Sequence, residues 1–148
     1  MNVFPEDRVT PTLWVVEAGT RWCDAARRFV GPFQHAETDA VISTPVLVQS
    51  IESGKVRAAI AGNPVTSILW EVSAENASAV ALAIAQVGVT QGDVLQLVAT
   101  EGKTPRGIEI RMMEFGVRAV MHRTEQFAAL APMVHRFFET RFADSADG

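Results

Sequence analysis

The sequence is poor in the features that most often identify a catalytic or metal-binding protein. Its single cysteine, Cys23, can form neither an internal disulfide nor a CxxC metal site. The Walker phosphate loop, the GxGxxG dinucleotide motif and the GxSxG nucleophile motif are all absent. We therefore expect no bound cofactor and no catalytic residue among the familiar motif classes.

Basic charge and long apolar segments are also scarce. The chain has 13 basic and 17 acidic residues and a net charge of −4, whereas nucleic-acid-binding domains usually carry the opposite balance. The longest uncharged stretch, between Glu75 and Asp93, is too short and too polar for a bilayer, which needs about 20 apolar residues. The N-terminus lacks the apolar run of a signal peptide. We therefore expect a cytoplasmic protein that binds neither nucleic acid nor membranes.

The sequence does contain enough apolar residues to form one globular domain. It has 148 residues, of which 48% are apolar, so it can bury a sizeable core and is not of the disordered class. We predict an N-terminal extension over residues 1–11, a folded domain over residues 12–142 and a disordered tail over residues 143–148.

Short apolar runs alternate with helical patterns along this domain. The runs predicted to be strands span residues 12–18, 33–38, 66–72, 94–99 and 117–121. The patterns predicted to be helices span residues 20–30, 46–53, 75–87, 107–115 and 124–142, and residues 55–65 fit a strand, a helix or a loop. This alternation predicts an α/β fold in which helices cover both faces of a parallel sheet. Pro132 predicts either a kink in the last helix or a regular helix that starts near Leu130.

Two segments resemble a known family. VLQLVATEG and RMMEFGVRAVMH, which lie between Val94 and His122, are similar to the fourth strand, fourth helix and fifth strand of the receiver domain of bacterial response regulators. LWVVEA, near the N-terminus, is similar to the first strand of a receiver. The resemblance runs from Thr12 to about Arg141. It implies a three-layer flavodoxin-like fold with a five-stranded parallel sheet in the order 2-1-3-4-5.

The resemblance also implies where a receiver's phosphorylation chemistry would lie. Receivers have an acidic pair after the first strand, a phosphate-accepting aspartate on the third, a Thr or Ser on the fourth and Lys-Pro after the fifth. Here the corresponding positions hold Glu17 followed by Ala18, then Glu71, Val98 or Ala99 (with Thr100 next to them), and His122 followed by Arg123. The extra methylene of a glutamate displaces the nucleophile, and a phosphoryl group would lack the hydroxyl and lysine contacts. The pocket is therefore expected to be that of a degenerate receiver, or pseudo-receiver.

Two functions from different classes follow from this reading. The first is a stand-alone, phosphorylation-independent receiver-like domain that acts through protein–protein contacts in signalling or regulation and is not an enzyme. The alternative is a small α/β enzyme or ligand-binding protein that uses the crevice at the carboxyl ends of the strands. A deep polar pocket near Glu17, Glu71 and His122 would favour the alternative, and a packed-over site with an exposed apolar patch elsewhere would favour the first. Flavin is disfavoured because EAGTRW lacks the run of hydroxyl residues with which flavodoxins hold phosphate.

Two further groups of residues have both a chemical and a structural interpretation. His35, Glu37 and Asp39 alternate, so they could bind a metal from one face of a strand, or form the solvated face of an edge strand. Cys23 lies near several arginines that could favour a reactive thiolate, but a lone cysteine is more commonly a small core residue.

The last expectation concerns self-association. Receivers commonly pair through the face formed by the fourth helix, fifth strand and fifth helix, and the resemblance implies a homodimer of this kind. The phenylalanines of the last helix suggest a surplus apolar patch. Arginines could then form the polar rim of a symmetric contact, and those proposed for the interface are Arg111, Arg118 and Arg123.

Overall fold

The fold is organised around a five-stranded parallel sheet. The computed structural model describes residues 10–63, 65–90, 93–100 and 106–147. The strands are β1 (Thr12–Val16), β2 (Phe33–Glu37), β3 (Ala40–Thr44), β4 (Leu47–Ser50), β5 (Thr66–Val72), β6 (Val94–Thr100) and β7 (Val117–Met121). Five of them form the parallel sheet in the order β4-β1-β5-β6-β7, and β2 and β3 form a separate antiparallel pair. Counted within the parallel sheet, this is the order 2-1-3-4-5, so the predicted flavodoxin-like fold is confirmed.

Five α-helices cover the two faces of this sheet. They are α1 (Arg21–Phe29), α2 (Val56–Gly62), α3 (Ala77–Thr90), α4 (Arg106–Glu114) and α5 (Phe127–Asp147). Apolar residues of α1 and α5 pack on one face, and those of α2, α3 and α4 pack on the other. The central strands β1, β5 and β6 are largely buried on both sides, which explains why their sequences are nearly continuous apolar runs. No helix in the described part of the chain is both long enough and apolar enough to cross a membrane.

A buried hydrogen-bonded link joins the sheet to the second helical layer. The indole Nε1 of Trp70 on β5 donates to Oε1 of Gln96 on β6 over 2.9 Å, and Nε2 of Gln96 donates to the carbonyl of Ile84 on α3 over 3.2 Å. Gln96 is 2% exposed. Gln96 thereby gives the buried indole N–H of Trp70 an acceptor and its own buried amide N–H an acceptor on α3, so the link fixes α3 against β5 and β6.

The prediction that residues 33–38 form the second strand of the parallel sheet is wrong. Instead, β2 and β3 form an antiparallel hairpin outside the sheet. Its two turn residues, Thr38 and Asp39, have φ angles of 50° and 67°, as the tight turns that match strand twist require. The hairpin is held against α5 by Phe33, which is buried and stacks on Phe138 with ring centroids 5.9 Å apart.

The second strand of the parallel sheet is β4, which lies where a helix over residues 46–53 was predicted. The amide of Leu47 donates to the carbonyl of Pro11, and the amide of Ile51 donates to the carbonyl of Val15. Thr44-Pro45 resembles a helix start, in which a hydroxyl residue caps the helix and proline occupies its first turn. Pairing with the edge of β1 overrides this pattern, because proline's fixed φ also suits an extended chain. The ambiguous residues 55–65 contain α2, after a short 3₁₀ turn at Ser53–Lys55.

The last helix includes its predicted range. A 3₁₀ turn at Thr124–Gln126 leads directly into α5, which begins at Phe127 and continues through Pro132. Of the two outcomes predicted for Pro132, a regular helix that starts near Leu130 is therefore wrong, because helical residues that include the buried Phe127 precede the proline. A kink at Pro132 stays a prediction. The helical backbone runs on to Asp147, into the segment for which the sequence predicts disorder. The predicted N-terminal extension, except residues 10 and 11, and the helix start at Thr104-Pro105 lie outside the described residues.

Candidate functional site

The receiver-like positions lie together at the carboxyl edge of the parallel sheet. In the strand register Glu71 on β5 pairs with Ala99 on β6, and Ala99 pairs with Met121 on β7. Glu17 directly follows β1, which is the neighbour of β5. Parallel strands end at one edge of a sheet, so Glu17, Glu71 and the end of β7 border the same region.

The Glu17 carboxylate is hydrogen-bonded to the N-terminus of α1. Its Oε2 accepts a hydrogen bond from the amide of Trp22, and its Oε1 accepts one from the amide of Cys23, both over 2.9 Å. These are the second and third amides of the helix, which lack partners within it, and Thr20 at the N-cap makes no side-chain bond to them. Glu17 thus provides the helix cap that a Ser or Asp at position 20 would normally supply, and its charge also complements the helix dipole.

Glu71 approaches the same loop from β5. It is half-buried, and its Oε1 lies 3.4 Å from the amide nitrogen of Ala18. Its backbone carbonyl accepts a hydrogen bond from Nδ2 of Asn76 over 3.2 Å. Two carboxylates therefore border the β1–α1 loop, one capping the helix and the other directed at an amide of the loop.

The predicted fourth-strand positions are buried at the end of β6. Val98 and Ala99 are fully buried and belong to the cores on opposite faces of the sheet. Thr100, the neighbouring hydroxyl residue, is also fully buried and pairs with Val72 in the strand register. Neither Val98 nor Ala99 offers a hydroxyl to this edge.

His122 is paired with a residue of α4. Its Nε2 lies 2.9 Å from Oε1 of Glu109, and the histidine side chain is 45% exposed. Oε1 of Gln126 accepts hydrogen bonds from the amides of His122 and Arg123 and so fixes the turn into α5. His122 therefore connects the end of β7 to α4.

The arrangement does not converge on a metal or a substrate pocket. Among the residues that the structure describes, no group of three or more His, Cys, Asp or Glu side chains is placed to hold a metal ion. Two surface grooves stand out in the described part of the chain, and neither is lined by Glu17, Glu71 or His122. The pocket near Glu17, Glu71 and His122 that would favour the enzyme alternative is therefore not one of these two grooves.

The structure supports the structural interpretation of two other groups. Nε2 of His35 lies 2.7 Å from Oγ1 of Thr44 on β3, and Asp39 lies in the hairpin turn, so the alternation that begins at His35 does not continue to Asp39. The Glu37 side chain lies outside the described residues. Cys23 is 1% exposed and packs in the core beside α5, so it is inaccessible as a nucleophile.

The arginines proposed for an interface are separated by the structure. Arg111 lines a groove of about 490 Å³ between α3 and α4, whereas Arg118 lines a different groove of about 640 Å³ beside α5. Arg123 is exposed after β7. The prediction that phenylalanines of the last helix form an exposed apolar patch is wrong for those that the structure describes. Phe127 and Phe138 are fully buried, and Phe137 is 8% exposed.

The sequence reading missed two surface features. Arg136 and Arg141 share the groove with Arg118. The large apolar residues that are exposed on α3, on α4 and directly after α4 are Leu82, Val89, Ile110, Met113 and Phe115. The uncharged stretch between Glu75 and Asp93 already indicated the second feature, because a helix without charges that is not covered on all sides must expose apolar surface.

Comparisons with known proteins agree with the architecture. No protein-family model matches the chain, and no curated protein matches its sequence. A CheY-like protein (tadZ) from Pseudomonas aeruginosa PAO1 has a similar structure, with a TM-score of 0.64 and 9% identity over 86% of this chain and 94% of that chain. A response regulator from Thermotoga maritima has a TM-score of 0.64 and 12% identity over 86% of this chain and 99% of that chain. The chain therefore has the fold of CheY-like response regulator receivers.

Proposed function

We propose that this protein is a degenerate receiver-like domain that works without phosphorylation and acts in signalling or regulation through contacts with other proteins. One observation carries the proposal most directly. Both oxygens of the Glu17 carboxylate, at the position of the receiver's acidic pair, accept amide hydrogen bonds from α1. A magnesium ion needs such oxygens for itself, so binding it here would cost the helix its cap.

The neighbouring positions add to the argument. Glu71 stands at the acceptor position with a side chain one methylene longer than aspartate, and phosphoryl transfer depends closely on in-line placement. Val98 and Ala99 offer no hydroxyl, and His122 is occupied by Glu109. A phosphoryl group would therefore have few contacts through which to shift the domain between two conformations.

The surface supports a role in protein contacts. Exposed apolar side chains gather on the adjacent helices α3 and α4, and Val89 is 85% exposed. Such clusters commonly mark interaction sites. The cytoplasmic location and the homodimer stay predictions.

The proposal predicts that the protein does not become phosphorylated. After incubation with magnesium and acetyl phosphate, intact-protein mass spectrometry should show an unchanged mass, because the acceptor geometry and the metal site are both incomplete. A receiver that carries the full acidic pair, acceptor aspartate, hydroxyl and lysine serves as the positive control in the same reaction. A magnesium-dependent phosphoryl adduct on Glu71 would overturn the proposal.

A second variant tests whether the glutamate at position 71 alone prevents phosphorylation or whether the neighbouring residues do so as well. Glu71→Asp restores the acceptor side chain but leaves Glu17 on the helix and Ala99 without a hydroxyl. We expect this variant to remain unmodified as well. A phosphoryl adduct on Asp at position 71 would mean that the rest of the pocket is competent, contrary to the proposed role of the capping contact.

A further inference from the structure

The groove beside α5 lies at the end of the sheet opposite Glu17 and Glu71. It is bordered by Val94 and Leu95 at the start of β6, by Gly116 just before β7, and by the middle of α5, and its volume is about 640 Å³. Gly116 has a φ angle of 113°, which a residue with a side chain rarely adopts. The turn from α4 into β7 therefore keeps this border free of a side chain.

Three arginines line this groove, and no carboxylate does among the residues whose side chains the structure describes. Arg118 lies on β7, and Arg136 and Arg141 lie on α5. Within the described residues neither Arg118 nor Arg136 has a carboxylate at ion-pair distance. A protein of net charge −4 thus concentrates unpaired positive charge at one end of the sheet.

The third arginine is held in place by its neighbours. The Arg141 guanidinium carbon lies 4.1 Å from the centroid of the Phe137 ring, and Nη1 donates to the Phe137 carbonyl over 3.4 Å. Nη2 lies 3.5 Å from a carboxylate oxygen of Asp93 at the rim. Stacking of this kind reduces the entropy lost when an arginine engages an anion.

Apolar side chains accompany the charges. Leu95 and Phe137 are buried at the base of the groove, and Met133 is half-buried beside them. Arginine guanidinium groups bind carboxylates in a bidentate manner, and the apolar base would receive a neighbouring side chain of the same ligand. The combination fits a segment in which acidic and apolar residues alternate.

We propose that this groove, lined by Arg118, Arg136 and Arg141, binds an acidic segment of a partner protein. The inference rests on the proposed role in protein contacts and adds the site and the chemistry of the partner. A second copy of this chain fits the groove less well, because a symmetric contact there would place the arginines of both copies near one another. The asymmetry of charge favours a different, acidic chain.

The test uses a fluorescein-labelled peptide in which glutamate and leucine alternate, followed by fluorescence anisotropy. The full chain should bind this peptide, and a peptide with glutamine in place of glutamate should not bind. The variant that carries Arg118→Glu and Arg136→Glu should bind about tenfold more weakly or not at all, since it reverses the two unpaired charges. Arg57→Glu, an exposed change on α2, is the matched control and should leave the affinity unchanged.

Three outcomes would overturn the inference. One is equal affinity of the wild-type chain and the double variant, or no binding of the acidic peptide by the wild-type chain. Another is displacement of the peptide by inorganic phosphate at constant ionic strength, which would indicate a site for small anions. The third is a wild-type dimer that the double variant converts to monomer, which would place a second copy in the groove. None of these results bears on phosphorylation, so the proposed function stands or falls separately in the mass measurement.

Discussion

At the scale of single residues, Glu17 has a structural role at the start of α1. Its carboxylate serves the two amides that Thr20 leaves without a side-chain partner. Because a capping carboxylate gains from both hydrogen bonds and the helix dipole, replacing it removes two favourable contributions at once. If the Glu17 carboxylate bound a metal ion through the same oxygens, it would lose these helix-capping contacts.

This role predicts a measurable loss of stability. Glu17→Ala should lower the free energy of unfolding by about 1–2 kcal/mol, as for other helix caps. Urea denaturation followed by circular dichroism provides the measurement. Glu52→Ala is the control, because Glu52 is exposed and its one ion pair, to Lys55, is 3.9 Å long, so its loss should cost less than about 0.5 kcal/mol. Equal effects of the two changes would contradict the capping role.

The sequence predicted the positions of the site better than their contacts. The resemblance placed Glu71 and Ala99 at strand ends, and the register pairs them directly. The contact between Glu17 and α1 depends on the path of the loop that joins β1 to α1, and no local sequence pattern predicts that path. An acidic residue four positions ahead of the helix was nevertheless a usable signal, since acids favour helix N-termini.

At the scale of elements, the strands on the β5 to β7 side of the sheet were predictable, and β4 and the hairpin were not. Thr66–Val72 has the predicted bounds, because a strand covered on both faces has a nearly continuous apolar sequence. Edge strand β7 (Val117–Met121) also has its predicted bounds, since its β-branched and apolar residues follow directly after Gly116. Edge strand β4 has only four residues, and its register comes from pairing with β1. The β2–β3 hairpin turns at Thr38-Asp39, which lacks the Asn-Gly or Asp-Gly pair that marks such turns in a sequence.

The proline within α5 gives the prediction at this scale. Pro132 is the sixth residue of the helix, so the carbonyl four residues earlier receives no amide hydrogen bond from it. Pro132→Ala should restore this bond and raise the free energy of unfolding by about 1–3 kcal/mol. Urea denaturation again provides the measurement.

Thr140→Ala, an exposed change on the same helix, is the control and should alter stability by less than about 0.5 kcal/mol. Loss of stability in Pro132→Ala would mean that the helix is built around the proline and that its ring packing outweighs the missing bond.

At the scale of the whole molecule, the fold brings arginines from two elements into one groove. Arg118 on β7 and Arg136 and Arg141 on α5 lie at the end of the sheet opposite Glu17 and Glu71. In the sequence, arginines and glutamates are interspersed over the final third, which predicts a balanced, solvated surface. The shared groove depends on how α5 packs against the sheet, which no local pattern records.

The predicted homodimer must now rest on other side chains than the phenylalanines of α5, which are buried. On α4 the exposed apolar residues are Ile110 and Met113, with 51% and 50% of their surface accessible. Burial of such side chains contributes about 25 cal/mol per Å², so α4 is where a symmetric contact gains most. Sedimentation equilibrium should therefore show a dimer of the 16.1 kDa chain at micromolar concentration.

Paired variants locate the contact. Ile110→Glu should shift the equilibrium to monomer, because a charge at a closed apolar contact must be desolvated without a partner. Val89→Glu, on the exposed side of α3, is the matched control and should leave the dimer intact. The opposite result, a monomer with Val89→Glu and a dimer with Ile110→Glu, would move the interface to α3. A single 16.1 kDa species for the wild-type chain at every concentration would show that the dimer prediction is wrong.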